Sequence, residues 1–250
     1  MKNDSDFIKR IEDLYSRSER KSELCSTGFL TPAEQYELSL WLDCHKDANV
    51  IISGGAETNE RQAAFFLPWY IEKEDFSIDG YICAVKIQSF FGEPGHRDYM
   101  GSVLGLGIKR EWIGDFIVDG GSAYVYCLPS VKDYILNDLK KVGSCGVKVM
   151  EISLEDVPAN ERKTKNISFT VKSLRLDAVT GDMFGISRTK AADVIKLGAV
   201  LLNYSVCDKI DTEVREGDII TLRGKGKGRI KTVGGRSKKD RLFIEAEIYI

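Results

Sequence analysis

Apolar positions near the N-terminus recur at helical spacing, with Phe7, Ile8, Ile11, Leu14 and Tyr15 on one face. Thr31-Pro32-Ala33-Glu34 has the form of a helix start, with Thr31 as N-cap, Pro32 in the first position and Glu34 placed to close a capping box. Leu38, Trp41 and Leu42 then face inward. Gly54-Gly55 marks a turn, and Ala56–Ala64 reads as a short helix. Residues 1–75 are therefore expected to form a mainly helical N-terminal region.

The pattern then changes period. Tyr81–Ile87 reads as a strand, Asp98–Leu106 as a short helix ended by Gly107, and Phe116–Asp119 with Ala123–Leu128 as a hairpin around Gly120-Gly121. Ser130 is placed to cap a helix whose apolar positions are Val131, Tyr134, Ile135 and Leu139, and Gly146–Ile152 supplies a last strand. The order βαββαβ predicts a ferredoxin-like sheet of the RNA-recognition-motif kind over 76–155. Burial under a helix is the expected place of Tyr124 and Tyr126, with base stacking as the alternative. Residues 156–173 are polar and lack apolar periodicity, which predicts an exposed linker before a third domain over 174–250. The expected fold class is α+β.

Composition narrows the function. Apolar residues are 43% and charged residues 30%, ordinary for a globular chain, and no apolar run is long enough to span a bilayer. No signal peptide is apparent, so a cytoplasmic protein without membrane association, and a monomer, are expected. The six cysteines form no CxxC pair and only two histidines accompany them, so no metal site and no cofactor are expected. The net charge of −2 conceals an asymmetry. Between Arg162 and Arg241 stand 19 Lys and Arg against 9 Asp and Glu, a net of +10, leaving −12 on the remainder. A basic C-terminal portion is the footprint of a polyanionic partner.

The basic portion contains Leu174-Arg175-Leu176-Asp177, then Gly185-Ile186-Ser187-Arg188-Thr189-Lys190-Ala191-Ala192. Ser187 as N-cap and Gly198 as C-terminal stop bound a helix of about three turns, with Ala191, Val194 and Ile195 inward. Arg188 and Lys190 at its start strengthen an anion site that the free backbone N–H groups already provide. Val200-Leu201-Leu202, a turn at Asn203-Tyr204, and Val214–Ile220 with its Gly217-Asp218 turn follow as short strands. The ordered set Arg-Leu-Asp, Ser-Arg-x-x-Ala, Ile-x-x-Gly-x-Val, Asn and Gly-Asp-x-Ile resembles the S4 domain over 174–222. That resemblance implies a helix pair and hairpin gripping the backbone of structured RNA, with contacts from Arg175, Ser187, Arg188, Lys190, Lys196 and Asn203. Tyr204 stands where the S4 family usually has glycine. Asp177 is expected to orient Arg175 or cap its helix. The run Arg223-Gly-Lys225-Gly-Lys227-Gly-Arg229 reads as a flexible arm that adds phosphate contacts, continuous with the cationic helix start.

The middle block contains Gly95-His96-Arg97-Asp98-Tyr99-Met100-Gly101 and runs on through Gly105-Leu106-Gly107-Ile108-Lys109-Arg110. Together with the C-terminal motif it resembles the YlmH family of bacterial S4-domain proteins, in which a helical region and an RRM-like domain precede S4. The resemblance implies association with the ribosomal large subunit and its tRNA, in rescue of stalled subunits carrying peptidyl-tRNA, alongside a nascent-chain quality-control factor; a link to cell division is also attached to the family. His96-Arg97-Asp98 is not a kinase loop, because Val103 stands where asparagine is required. Gly105-x-Gly107 is a poor dinucleotide motif, and the Gly-Lys repeats lack the Gly-Lys-Ser/Thr of a phosphate-binding loop. For His96, Arg97, Lys109 and Arg110, a second RNA surface and an ordinary structural loop both stand open. The leading expectation is a non-catalytic factor that binds ribosomal or transfer RNA. The alternatives are an RNA-modifying enzyme of pseudouridine-synthase type with an S4 targeting module, and a cell-division adaptor.

Overall fold

The capping box read at Thr31 is formed. Thr31 Oγ1 accepts from the Glu34 amide at 3.3 Å, while Glu34 Oε2 accepts from the Thr31 amide at 2.7 Å. It launches α2 (Pro32–Cys44), which packs beside α1 (Asp4–Lys21) through Phe7, Ile11, Leu38 and Trp41. These elements belong to a computed structural model that describes residues 4–159, 164–237 and 239–249. The chain divides into two compact units, Met1–Asn160 and Glu161–Ile250.

In the first unit a small antiparallel sheet of order β1-β3-β2 joins the helices, with β1 (Cys25–Ser26), β2 (Val50–Ser53) and β3 (Ala63–Phe66). The helix expected over Ala56–Ala64 is not formed; that stretch is a turn leading into β3. The reason lies in the run from Ala63 to Leu67, every residue of which is buried. Ala64 and Phe66 face the α1–α2 core, whereas Ala63, Phe65 and Leu67 face the middle sheet. A strand sandwiched between two layers is apolar on both faces and shows no helical period.

The middle sheet has the order β5-β6-β4-β8-β7, all neighbours antiparallel, with β4 (Cys83–Ser89), β5 (Ile113–Asp119), β6 (Ser122–Cys127), β7 (Lys141–Val142) and β8 (Cys145–Ile152). With α3 (His96–Leu104) after β4 and α4 (Pro129–Asp138) after β6, this is the expected ferredoxin-like connection. Both helices cover the face bearing Val85, Ile87, Ala123, Val125 and Cys127. Tyr134 is the exception to the expected inward set, being 49% exposed while Val131, Ile135 and Leu139 are buried. The opposite face is covered by the N-terminal strands: Tyr126 packs with Phe29, Phe65 and Ile117. Tyr126 is thus buried, but beneath a strand layer rather than a helix, and a base cannot reach it. Tyr124 remains partly exposed, with the Lys86 ammonium 5.5 Å from its ring.

The second unit is a six-stranded antiparallel sheet, order β11-β10-β12-β13-β14-β9, with two helices on one face. Its strands are β9 (Thr164–Val171), β10 (Val200–Leu202), β11 (Ser205–Val206), β12 (Ile219–Leu222), β13 (Gly226–Arg236) and β14 (Leu242–Tyr249). The helices are α5 (Leu176–Met183) and α6 (Arg188–Lys196). Two expectations are corrected here. Part of the expected linker is β9, paired with β14 from Thr164↔Tyr249 to Val171↔Leu242; residues 160–163 lie outside the described residues. Its outward positions are Asn166, Ser168 and Thr170, so the strand looked polar because one face is open to water.

The glycine–lysine run is likewise no flexible arm. It turns into β13, bonded on both sides to β12 and β14. Its alternation is the period of a strand. A Cβ on Gly228 would lie 2.7 Å from Ile248 and 2.8 Å from the Met183 sulfur, so glycine is what lets α5 sit on the strand. Lys227 and Arg229 point to the other face.

Candidate nucleic-acid interface

The chemistry of the second unit centres on Asp177, in the first turn of α5. Its side chain is 6% exposed, and Oδ1 accepts from the Ala178 amide at 2.8 Å within the first turn, two residues after the N-cap Arg175. It also receives two guanidiniums. Arg175 donates through Nε and Nη2 at 3.2 and 3.3 Å, and Arg188 through Nε and Nη2 at 3.1 and 3.3 Å. Of the two roles anticipated for Asp177, the structure forms the contact with Arg175, and Arg188 is an added partner. Burial works to raise the Asp177 carboxyl, but the hydrogen bonds and charges of Arg175 and Arg188 outweigh it and hold the group below its ordinary range. One buried carboxylate fixes two arginines and neutralises only one charge. Each guanidinium keeps outward N–H groups in the fork geometry that suits phosphate oxygens.

Arg188 also borders a groove of about 300 Å³ whose wall includes Lys172, Asp182 and Arg241. Arg241 is anchored on β9, where it donates to the Thr170 hydroxyl at 2.9 Å and to the Thr170 carbonyl. The motif reading missed Lys172 as a site residue and placed Arg241 only in a basic run. The β9–β14 pairing brings both beside α6, and no pattern local to residues 174–222 encodes that pairing.

The remaining candidates divide. Ser187 is the N-cap of α6, its Oγ accepting from the Lys190 amide at 3.2 Å, so its hydroxyl is committed to the helix start. On α6 Arg188 and Lys196 are separated by about 80°, whereas Lys190 lies about 160° from Arg188, at about 100° per residue. Asn203 is buried and stitches its turn to β12, donating to Asp218 Oδ1 at 2.8 Å and accepting from the Ile219 amide at 2.9 Å. These bonds give Asn203 a structural role in the turn. Asn203 and Tyr204 both adopt positive φ, +48° and +68°, so the turn keeps a left-handed shape with tyrosine in the glycine position, at about 1 kcal/mol of strain.

Arg223 and Lys225 are exposed around the β12–β13 turn. Lys227 places its ammonium 4.8 Å from the Tyr249 ring and 5.8 Å from the Tyr204 ring. Arg229 is exposed opposite Glu247, which pairs with Lys231 at 3.7 Å. The strand cations thus lie on the sheet face away from α5 and α6, partly offset by Glu247. The helix start and the glycine–lysine segment do not make one continuous strip, because alternation along β13 turns its lysines from the helices.

In the first unit, His96 and Arg97 are exposed at the start of α3, with the His96 ring 5.8 Å from Phe116. Lys109 and Arg110 instead line a cavity with Arg10 and Arg61. Among the described residues no group of His, Cys, Asp or Glu is arranged to hold a metal ion, and no helix is long and apolar enough to cross a membrane.

Three family models match in chain order: "YlmH, N-terminal" over residues 3–67, "Putative RNA-binding domain in YlmH" over 72–156, and "S4 domain" over 174–220. The chain is 32% identical over 225 residues to "Ribosome-associated protein quality control protein P2" of Bacillus subtilis (strain 168), covering 88% of this chain and 86% of that protein. "Cell division protein ylmH from Streptococcus pneumoniae" is a structural neighbour, with a TM-score of 0.50 and 22% identity over 62% of this chain and 90% of that one, which shows a shared fold. With its helical start, ferredoxin-like middle and S4 unit in the same order, the chain belongs to the YlmH family of S4-domain RNA-binding proteins.

Proposed function

We propose that this protein is a non-catalytic RNA-binding factor of ribosome-associated quality control, which holds the large subunit and its tRNA through the S4 unit while peptidyl-tRNA remains bound. The observation that carries the reading is the Asp177 clamp: a buried carboxylate displays Arg175 and Arg188 together, beside Lys172 and Arg241. Phosphate neutralisation by such a cluster supplies affinity for folded RNA without reading sequence. The printed name of the Bacillus relative supports the ribosomal setting. Lys190, Lys196, Arg223 and Lys225 are exposed and would extend the contact, with Arg229 on the opposite sheet face as a weaker contributor. A cytoplasmic location and monomeric binding follow from this role.

The reading against an enzyme rests on Asp177. In Arg175-Leu176-Asp177, which is similar to a synthase signature in miniature, the carboxylate is spent on two guanidiniums and an amide. An attacking carboxylate needs a free oxygen facing a substrate. Tagged full-length protein sedimented on a sucrose gradient is expected to run with large subunits and retain tRNA. Arg188→Glu should lower that co-sedimentation about a hundredfold with an unchanged circular dichroism spectrum. Undiminished co-sedimentation of Arg188→Glu at moderate salt removes the proposal, and a missing RNA modification in a deletion strain would favour the enzyme instead.

A further inference from the structure

The cavity beside the start of α2 has no part in the S4 surface. It measures about 310 Å³, and its wall includes Arg10, Glu34, Arg61, Lys109, Arg110 and Glu111. Gly28 closes it. The Phe29 amide donates to the Glu111 carbonyl at 2.6 Å, and a Cβ on Gly28 would stand 2.5 Å from that same oxygen. Only glycine lets the segment after β1 approach the turn before β5 so closely.

Two guanidiniums sit half-buried in this wall, and among the described residues neither has a carboxylate in direct contact. Arg61 Nη2 donates to the Phe29 carbonyl at 2.5 Å, and Arg110 Nη1 donates to the carbonyls of Ile113 and Gly114, the latter at 3.0 Å. Arg61 Nε is buried with no acceptor. Asp115 and Glu34 are engaged elsewhere. Asp115 accepts from the amides of Glu60 and Arg61 at 2.5 and 3.1 Å, and Glu34 closes the α2 cap with its other oxygen 3.9 Å from Arg10. Burial lowers the pKa of both guanidiniums, that of Arg110 to about 10, where the charge of Arg61 adds to the depression. Two like charges that sense each other in a partly desolvated wall, with donors to spare, are stabilised by an anion between them.

We propose that this cavity binds a phosphate monoester, either the terminal phosphate of an RNA strand or that of a free nucleotide. Four cationic side chains and two carboxylates line the cavity, with Asp115 close to both arginines, a balance that stays positive and suits the concentrated charge of a phosphate monoester. The volume lies at the lower limit of small-molecule sites and admits a chain end or one nucleotide, whereas a continuous strand needs an open track. This site belongs to the first unit and the S4 clamp to the second, and no residue is shared between them.

The test uses full-length protein. Calorimetry with inorganic phosphate, AMP and adenosine is combined with fluorescence anisotropy of one oligoribonucleotide carrying a 5′-phosphate or a 5′-hydroxyl. AMP is expected to bind about tenfold or more tightly than adenosine. A matching preference for the 5′-phosphorylated strand assigns the RNA end; a preference confined to AMP and inorganic phosphate assigns the free nucleotide. Arg110→Gln should erase the preference. Arg10→Gln and Lys109→Gln, both changes of exposed side chains, should weaken it about threefold each and decide the matter if Arg110→Gln does not fold. Arg188→Glu should leave AMP binding unchanged, so failure here is distinct from failure of the S4 reading. Equal binding of AMP and adenosine together with equal binding of the two strands overturns the proposal.

Discussion

The two units each hold a pair of arginines, and they hold them differently. Arg175 and Arg188 flank a buried carboxylate and remain substantially exposed, with 36% and 55% of their side-chain surface open. Arg61 and Arg110 rest on backbone carbonyls inside a cavity, with no carboxylate among the described residues bonded to either. A carboxylate anchor orients its arginines and cancels one charge, which suits repeated, exchangeable contacts along an RNA surface. A carbonyl anchor orients without cancelling, which suits the capture of one discrete anion. The same side chain is thus presented in two ways, decided by what stands behind it.

The comparison breaks most visibly at its anchors. Asp177→Ala removes the carboxylate that holds both arginines, so large-subunit affinity should fall more than tenfold and stability by about 2 kcal/mol in urea denaturation. An affinity unchanged by Asp177→Ala would mean that the arginines need no positioning. In the first unit, Asp115→Ala frees the amides of Glu60 and Arg61, and should lower stability by about 2 kcal/mol while sparing large-subunit binding. Loss of both properties would show that the units do not act separately.

A smaller effect separates strand from arm. Gly228→Ala places a Cβ against Ile248 and Met183 and should cost about 1–3 kcal/mol, whereas Gly235→Ala, in open space, should stay within about 0.5 kcal/mol. Equal melting temperatures for the two variants would return the segment to a flexible arm.

The smallest effect is pH-dependent. The Asp177 carboxyl is held below its unfolded value, so its contribution is complete above the ordinary carboxylate range, near about pH 4, and disappears as pH falls through the lower folded value. Urea midpoints of the wild type should therefore fall more steeply than those of Asp177→Asn below about pH 4. Parallel curves would deny the carboxylate its charge-based role.

Much of this molecule was legible in its sequence because local rules governed it. The Thr31 capping box, the Ser187 N-cap, the βαββαβ order and the Asp177 anchor each follow from residues near one another in the chain. The failures share a physical origin in tertiary layering. The helix read over Ala56–Ala64 gives way to a turn and the start of β3, a strand covered by a layer on each side. The glycines of β13 looked like flexibility, yet they mark where Met183 and Ile248 press on the sheet. Asn203 matched a contact position in the motif, but its amide is spent on Asp218 and Ile219. Lys172 and Arg241 reach Arg188 only through the β9–β14 pairing, and Arg61 reaches Arg110 only through the packing of the N-terminal strands on the middle sheet.

The most direct test is the salt dependence of large-subunit binding for the wild type and for Arg188→Gln, which removes one charge without adding another. If Arg188 neutralises an RNA phosphate, the slope of log affinity against log salt should become shallower by about 1. An identical slope and an identical affinity for the two proteins would contradict the claim that the Asp177 clamp is where this protein grips RNA.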